Sequence, residues 1–175
     1  MGKAILLTGH PGCGKTTAIK RVVAQMRHPV GGFYTEEIRS QQGARTGFKI
    51  VTLDGQEGVL ASVNLQSRYW VGRYGVDVAV MDSLAVDSIR RAANDKRLVV
   101  IDEIGPMELF SDAFRQAVMD ILQSDHCVLA TVVRRRHPVA DQIKALPNVT
   151  LIEITPENRD TIFDLILNKV DGCFL

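Results

Sequence analysis

Gly-His-Pro-Gly-Cys-Gly-Lys-Thr, at residues 9–16, matches the pattern G-x-x-x-x-G-K-[ST] at every fixed position. The apolar run at residues 3–8 in front of it is typical of a buried strand. Behind it, apolar residues repeat at helical spacing: Ile19, Val22, Val23 and Met26. A strand, a glycine-rich loop and a helix in this order predict a phosphate-binding loop, because backbone N–H groups and the positive helix end then face phosphate oxygens. The alternative is a glycine-rich turn with an incidental lysine, which the full match in this context disfavours.

Individual positions of the loop have predicted roles. Lys15 is expected to reach the β- and γ-phosphates of a nucleoside triphosphate, the Thr16 hydroxyl to ligate Mg²⁺, and Thr17 to contact the α-phosphate. Cys13 also lies within the loop, but the sequence around it does not indicate a nucleophilic role. The residues predicted to surround the phosphates are Gly9, His10, Pro11, Gly12, Cys13, Gly14, Lys15, Thr16 and Thr17.

A second signal is the apolar run at residues 98–101, which is followed by Asp102 and Glu103. A phosphate-binding loop needs a carboxylate at the end of a neighbouring strand to hold the water shell of Mg²⁺, and Asp102 is the expected partner. Glu103 then lies where a carboxylate can orient or deprotonate an attacking water. Glu108 is the second candidate for that role, and a solvated acidic loop is the alternative interpretation of the pair.

Basic residues follow another apolar run, at residues 127–133: Arg134, Arg135 and Arg136. Because ligands of parallel sheets bind outside the carboxyl ends of the strands, one of these arginines could stabilise charge on the γ-phosphate. The alternative interpretation, a solvated basic turn without a role in binding, is equally well supported by the sequence. Aromatic residues that could stack on a nucleobase, or instead pack on the core, are Tyr69, Trp70 and Tyr74.

The overall pattern is α/β. Four continuous apolar runs predict parallel strands covered by helices on both faces: residues 3–8, 98–101, 127–133 and 149–154. Shorter β-like runs predict antiparallel hairpins inserted around residues 31–64: residues 32–39, 47–53 and 59–63, with turns at 42–43 and 54–55. Ser111 is expected to cap one helix, and Thr155-Pro156 to begin the last one. Residues 68–82 are not assigned. We therefore predict a P-loop NTPase three-layer sandwich with a mainly parallel sheet, in a single domain over residues 1–175.

Composition excludes several function classes. The 175 residues carry 21 basic and 20 acidic side chains, a net charge of +1, which gives no basic surplus for a nucleic-acid partner. The apolar runs are too short to span a bilayer, so no membrane partner is expected. Three cysteines, an odd number, argue against a disulfide framework and for a reducing compartment, the cytoplasm.

Taken together, the motifs resemble the small P-loop nucleoside-triphosphatase family that includes the cancer-related nucleoside-triphosphatase and thermophilic microbial relatives. The motifs that carry the resemblance are GHPGCGKTT from Gly9, GFYTEEIR from Gly32, GFKIV from Gly47, VGRYGVDV from Val71, LVVIDEIGPMEL from Leu98, RRRHP from Arg134 and LIEITPENRD from Leu151. They extend through most of the chain.

The resemblance implies Mg²⁺-dependent hydrolysis of nucleoside triphosphates (ATP, GTP, CTP and UTP, with loose base selectivity) to diphosphate and phosphate. It also implies that residues 9–16 and 98–105 bind nucleotide, which adds Gly105 to the predicted site. One departure is Pro106, at a position where a lysine is expected in this family.

Three functions remain open from the residues. The first is a nucleoside-triphosphatase, with Lys15 and Glu103 as catalytic residues and Thr16 and Asp102 as metal-binding residues. The second is a kinase that transfers the γ-phosphate to a nucleotide or another small acceptor. The third is a nucleotide-dependent switch whose slow hydrolysis times a partner interaction. Oligomeric state cannot be derived from this sequence.

Overall fold

The structure is a computed structural model that describes residues 2–95 and 98–174. Its strands are β1 (Ala4–Thr8), β2 (Val30–Arg39), β3 (Arg45–Thr52), β4 (Glu57–Ser62), β5 (Trp70–Val71), β6 (Tyr74–Val76), β7 (Leu98–Ile104), β8 (Val128–Val132) and β9 (Val149–Glu153). Its helices are α1 (Lys15–Gln25), α2 (Val78–Val80), α3 (Val86–Asn94), α4 (Asp112–Gln123), α5 (Pro138–Lys144) and α6 (Ile162–Asp171). A π-helical stretch, Met81–Ala85, joins α2 to α3, and a 3-10 turn, Glu108–Phe110, precedes α4.

Within the described residues the strands form one nine-stranded sheet in the order β5-β6-β4-β3-β2-β7-β8-β1-β9. The half from β2 to β9 is parallel, and β3 to β6 extend it as antiparallel strands. The parallel strands are the continuous Val-, Ile- and Leu-rich runs, because a strand covered on both faces has no polar face to alternate with. Their carboxyl ends lie at one edge, where the phosphate-binding loop begins.

Helices cover both faces of the parallel half. Alternate residues of β1 separate the two sides: Leu6 packs with α3, α4 and α5, whereas Leu7 packs with α1 and α6. The apolar face of α1 at Ile19 and the apolar face of α6 at Ile166 are both completely buried. This arrangement confirms the predicted three-layer sandwich, and it fixes β1 between two packed helical layers so that the loop after it starts from a rigid base.

The predicted hairpins are present, but β2 also belongs to the parallel sheet. Its first half, from Val30 to Phe33, pairs in parallel with β7, and its second half pairs only with the antiparallel strand β3. The sequence predicts an insertion here because glycine-containing turns, at residues 42–43 and 54–55, separate short β-like runs. Gly32 is required there, since a Cβ on it would lie 1.9 Å from the carbonyl oxygen of Val100 on β7. The antiparallel strands are thus a continuation of the central sheet. Residues 70–76, which were not assigned, add a short further hairpin.

Two predicted helix starts had different outcomes. Ser111 caps α4 as predicted, because its hydroxyl accepts a hydrogen bond from the N–H of Phe114 at 2.9 Å. The last helix does not begin at Thr155-Pro156; α6 begins at Ile162. Thr155 does cap a turn, because its hydroxyl accepts a hydrogen bond from the N–H of Asn158 and the Asn158 side chain accepts one from the N–H of Thr155, but residues 156–161 form turns and not a continuous α-helix. Helices α3 and α5 were not predicted from the sequence.

The cysteine prediction was also wrong. Cys127, just before β8, and Cys173, just after α6, form a disulfide, with their Cα atoms 5.9 Å apart. The two residues meet because α6 packs back against the sheet, a contact between distant segments that cysteine spacing does not indicate. The ring of Phe174 stacks on His28 at a centroid distance of 4.1 Å beside this link. The argument from cysteines to a reducing compartment therefore loses its basis, and a cytoplasmic location stays a prediction.

Over residues 2–95 and 98–174, no helix combines the length and the apolar character that crossing a bilayer requires.

We predict that Cys173→Ser lowers the free energy of unfolding by about 2–4 kcal/mol, because the bond that links residues 46 positions apart no longer restricts the unfolded chain. Urea denaturation without reductant measures the difference, and dithiothreitol should bring the wild type to the stability of the variant. Titration of the denatured, unreduced wild type should detect one thiol, that of Cys13. Detection of all 3 thiols of the sequence would contradict the prediction.

Candidate functional site

The loop after β1 has the backbone conformation that phosphate binding requires. Gly14 has φ 103° at the N-terminus of α1, in a region that favours glycine, so the loop turns its N–H groups inward as the helix begins. Gly9 is needed for space as well: a Cβ on it would lie 2.4 Å from the carbonyl oxygen of Ile154 and 2.7 Å from the sulfur of Cys13. The loop is therefore packed against the end of β9, and it is narrow at its first glycine.

Lys15 lies over this loop. Its Nζ donates hydrogen bonds to the carbonyl oxygens of Gly9 and His10, both at 3.0 Å, and lies 3.9 Å from the sulfur of Cys13. The ammonium group is thus held against the first residues of the loop. Cys13 itself is buried, so its thiol is part of the loop's packing.

Asp102 is 3% exposed, at the carboxyl end of β7. Its Oδ1 accepts a hydrogen bond from the Thr131 hydroxyl at 2.6 Å, whereas its Oδ2 is buried and has no partner among the described residues. Burial raises the pKa of this carboxyl, and hydrogen bonds from Thr131 and Thr16 together with the charges of Lys15 and Lys20 partly offset the rise. A buried carboxylate oxygen without a partner, next to a hydroxyl of the loop, fits the oxygen ligands that Mg²⁺ prefers.

Glu103 and Glu108 approach each other across Gly105. A Cβ on Gly105 would lie 2.8 Å from Oε1 of Glu103 and 2.9 Å from Oε2 of Glu108. Burial, and then the neighbouring Asp102, raise the pKa of Glu103, while Lys15 and Arg135 oppose the rise. Glu108 is 2% exposed, and burial followed by the charge of Glu103 raises its pKa well above the usual value. Gly105 lies between two carboxylates, and any larger residue there would displace them.

The three arginines after β8 separate into different environments. Arg134 pairs with Glu153 of β9 at 3.1 Å, so its charge is directed along the sheet edge. Arg135 is the one whose positive charge lowers the pKa of Glu103. Arg136 is exposed. Of the three, Arg135 is therefore the candidate for contact with the reacting phosphate, and the role stays a prediction.

The aromatic residues proposed for base stacking do not lie near the loop. Tyr69 packs on Phe110 at 5.0 Å between ring centroids. Trp70 is 44% exposed and belongs to β5, at the opposite edge of the sheet from β1 and β9. Tyr74 is buried, with its hydroxyl accepting a hydrogen bond from Arg45 at 3.0 Å. Tyr69 and Tyr74 thus pack on the core, as the alternative interpretation predicts, whereas Trp70 does not.

A protein-family model described as NTPase matches residues 4–167 of the chain. The chain belongs to this NTPase family. Nucleoside-triphosphatase THEP1 of Thermotoga sp. (strain RQ2) is 44% identical over 164 residues, which cover 94% of this chain and 93% of the relative. The crystal structure of THEP1 from the hyperthermophile Aquifex aeolicus matches with a TM-score of 0.89 at 40% identity, over 96% of this chain and 99% of that chain. The solution structure of a human cancer-related nucleoside triphosphatase matches with a TM-score of 0.83 at 37% identity, over 98% of each chain.

Some residues around the NTPase site were missed by sequence reasoning. Thr131 is a completely buried polar residue in an otherwise apolar strand, and that isolated hydroxyl was the available signal. Thr35 donates a hydrogen bond to the carbonyl oxygen of Asp102 at 2.8 Å, and no local pattern indicated it. Tyr34 lies beside it, and burial followed by the charge of Asp102 raises its pKa to about 12. Lys20 of α1 lies 5.1 Å from the centroid of the Tyr34 ring.

We predict that Thr131→Val lowers the free energy of unfolding by about 1–3 kcal/mol, since the buried Asp102 carboxyl loses the donor to its Oδ1. Urea denaturation in EDTA measures this change without any contribution from bound metal. Thr131→Ser keeps the hydroxyl and is the matched control, so it should lose much less stability than the valine variant. Equal stability of the valine variant and the wild type would contradict the assignment of this hydrogen bond.

A pH-dependent effect is predicted for Glu108→Gln. Because the pKa of Glu108 is raised in the folded state, the wild type loses stability as pH rises above the ordinary value of 4.5, where the unfolded chain ionises first. The glutamine variant lacks this loss. It should therefore equal the wild type near the ordinary pKa and become more stable than the wild type toward neutral pH, as measured by urea denaturation in EDTA. A stability difference that does not change with pH would contradict the burial of an ionisable group.

Proposed function

We propose that this chain is a Mg²⁺-dependent nucleoside-triphosphatase that hydrolyses ATP, GTP, CTP and UTP, with loose base selectivity, to the diphosphate and phosphate. The observation that carries the proposal is the position of Glu103, directly after Asp102 and within the electrostatic influence of Lys15. The relatives named nucleoside-triphosphatase, which match nearly the whole chain, support the same activity.

The phosphate chain is held by the loop. Backbone N–H groups of residues 9–16 and the N-terminal end of α1 bind phosphate oxygens, and Lys15 neutralises charge on the β- and γ-phosphates. Thr16 and Asp102 would hold Mg²⁺, which supplies charge neutralisation of the phosphate oxygens when bound. The unpartnered Oδ2 of Asp102 and the influence of Thr16 on the pKa of the same carboxyl group support this assignment.

Glu103 is the proposed general base that accepts a proton from the attacking water. In the proposed reaction a water oxygen bonds to the γ-phosphorus, the bond from that phosphorus to the β–γ bridging oxygen breaks, and the water gives up its proton to Glu103. A carboxylate accepts a proton better when its pKa is raised, because the acid it forms is then weaker. Burial, followed by the charge of Asp102, raises the pKa of Glu103 in this way, and the charges of Lys15 and Arg135 oppose the rise.

The two other functions left open by the sequence differ in what they require. A kinase would release diphosphate only with an acceptor present, and a switch would turn over slowly until its partner is added. Glu103 beside the metal-binding carboxylate favours water as the acceptor, since a kinase needs its acceptor and not a water at that position.

The test is phosphate release from ATP, GTP, CTP and UTP by the wild type and by Glu103→Gln. The wild type should hydrolyse all four nucleotides with Mg²⁺ and none with EDTA. Glu103→Gln keeps the shape of the side chain but cannot accept the proton, so its kcat should fall by about 10²- to 10⁴-fold while it still binds nucleotide. Glu57→Gln, on the exposed face of β4, is a matched control that should retain full activity.

The proposal would be overturned by a wild type that binds nucleotide tightly and releases no phosphate from any of the four. An unchanged kcat in Glu103→Gln would leave the NTPase activity in place but would move the water-handling role to another residue, with Glu108 as the next to be tested.

A further inference from the structure

The order of the strands determines the direction in which a nucleotide lies. Asp102 and Glu103 follow β7, which is separated from β1 by β8, while β9 lies on the other side of β1. In the proposed function the γ-phosphate faces Glu103, and the remaining phosphates lie over the loop after β1. The nucleoside must then extend away from β7, toward the side of the loop where β9 ends.

The protein on that side is the segment that joins β9 to α6, residues 155–161. Its start is fixed to the loop: the N–H of Ile154 donates to the carbonyl oxygen of Thr8 at 2.8 Å, and Gly9 has no room for a Cβ beside the Ile154 carbonyl. Its end is fixed to α1, because α6 packs against α1 and the guanidinium of Arg21 lies 4.4 Å from the centroid of the Phe163 ring. The segment therefore flanks the first turns of α1, where the nucleoside end of the phosphate chain lies in the proposed function.

Internal hydrogen bonds give this segment a defined shape. The amide of Asn158 uses both of its ends: Oδ1 accepts from the N–H of Thr155 at 2.8 Å, and Nδ2 donates to the carbonyl oxygen of Glu153 at 2.9 Å. The N–H of Asn158 in turn bonds the hydroxyl of Thr155 at 3.3 Å. Because both ends of this amide are bonded to the backbone, the protein fixes its orientation, and only one N–H of Nδ2 and one lone pair of Oδ1 are left.

Arg159, the next residue, is exposed. Over residues 2–95 and 98–174, its guanidinium is in none of the ion pairs or hydrogen bonds of the structure. A guanidinium is flat and positively charged, and it stacks on the face of any aromatic ring without requiring a particular pattern of donors and acceptors. It is therefore suited to bind purines and pyrimidines alike.

The opposite side of the site does not offer such a surface. Lys20 pairs with Glu36 at 2.7 Å, and its charge lowers the pKa of Asp102. Tyr34 is near the same carboxyl group, because the charge of Asp102 contributes to the raised pKa of Tyr34. These groups lie on the β2 and β7 side, next to the reacting phosphate. A base placed there would have to pass the γ-phosphate, which the direction of the phosphate chain excludes.

The geometry points to residues 155–161 as the nucleoside subsite of this chain, with the Arg159 guanidinium packed on the nucleobase and Asn158 as the residue that positions the segment. This inference rests on the proposed function for the direction of the phosphate chain. It names the part of the protein that contacts the base, and it gives a physical reason for loose base selectivity.

Isothermal titration calorimetry with Mg²⁺ tests the subsite with ligands that are not hydrolysed in the proposed reaction. ADP, GDP, CDP and UDP contain a nucleoside, and pyrophosphate does not. In Arg159→Ala, the Kd of each of the four diphosphates should rise roughly 3- to 20-fold, whereas the Kd of pyrophosphate should stay within about twofold of the wild type. Arg159→Lys keeps the charge without the flat group and should fall between the two.

Arg90→Ala is the control, because Arg90 is an exposed arginine on α3, on the other face of the sheet. It should leave the Kd of every ligand unchanged, and thermal denaturation should show that all variants are folded. Unchanged diphosphate affinity in Arg159→Ala would overturn the inference. So would an equal loss for pyrophosphate, which would make Arg159 a phosphate-binding residue, or a loss confined to one base. The proposed NTPase activity is judged separately, from phosphate release by the wild type.

Discussion

The cost of burying negative charge is the constraint around which this site is built. Asp102, Glu103 and Glu108 lie close together, and burial is the largest cause of the raised pKa of each. Such a cluster is tolerated only where hydrogen bonds and positive charges partly offset the desolvation. Here a hydroxyl on β8, the strand next to β7, donates a hydrogen bond to Asp102, and the positive charge of Lys15, on the loop after β1, acts on the same carboxyl group.

The antiparallel half of the sheet takes part in the same arrangement. Strand β2 continues from its parallel pairing with β7 into the hairpin region, and this continuation places Thr35 against the backbone of Asp102. Farther along, Glu36 bonds Lys20 of α1 at 2.7 Å and lies 4.0 Å from Lys49 of β3. These exposed pairs add little stability individually. Their geometric effect is that α1, which carries the phosphate-binding loop, is tied to the strand that supports the acidic residues.

Features with a local cause were predictable, and features with a non-local cause were not. The loop glycines, the acidic pair after an apolar run and the Ser111 cap each follow from neighbouring residues. By contrast, the parallel pairing of β2 depends on Gly32 meeting the backbone of β7, and the bond from Cys127 to Cys173 depends on how α6 packs. The late start of α6 was missed because Thr155 does cap a turn, but residues 156–161 do not continue that turn as a regular α-helix. Glu108 was a candidate from its position in the sequence, but its burial was not predictable, because it depends on the turn after β7.

The two ends of the proposed nucleotide site differ in what they can discriminate. Strong selection requires buried polar groups that a wrong ligand would leave unpaired. At the phosphate end such groups exist, since Asp102 Oδ2 is buried without a partner among the described residues. Along residues 155–161 the amide of Asn158 is already satisfied within the protein, and Arg159 is open to solvent. A wrong base would leave nothing buried and unpaired there. In the proposed function, recognition therefore rests on the triphosphate and its metal ion, and selectivity for one base would need a further polar side chain on this segment.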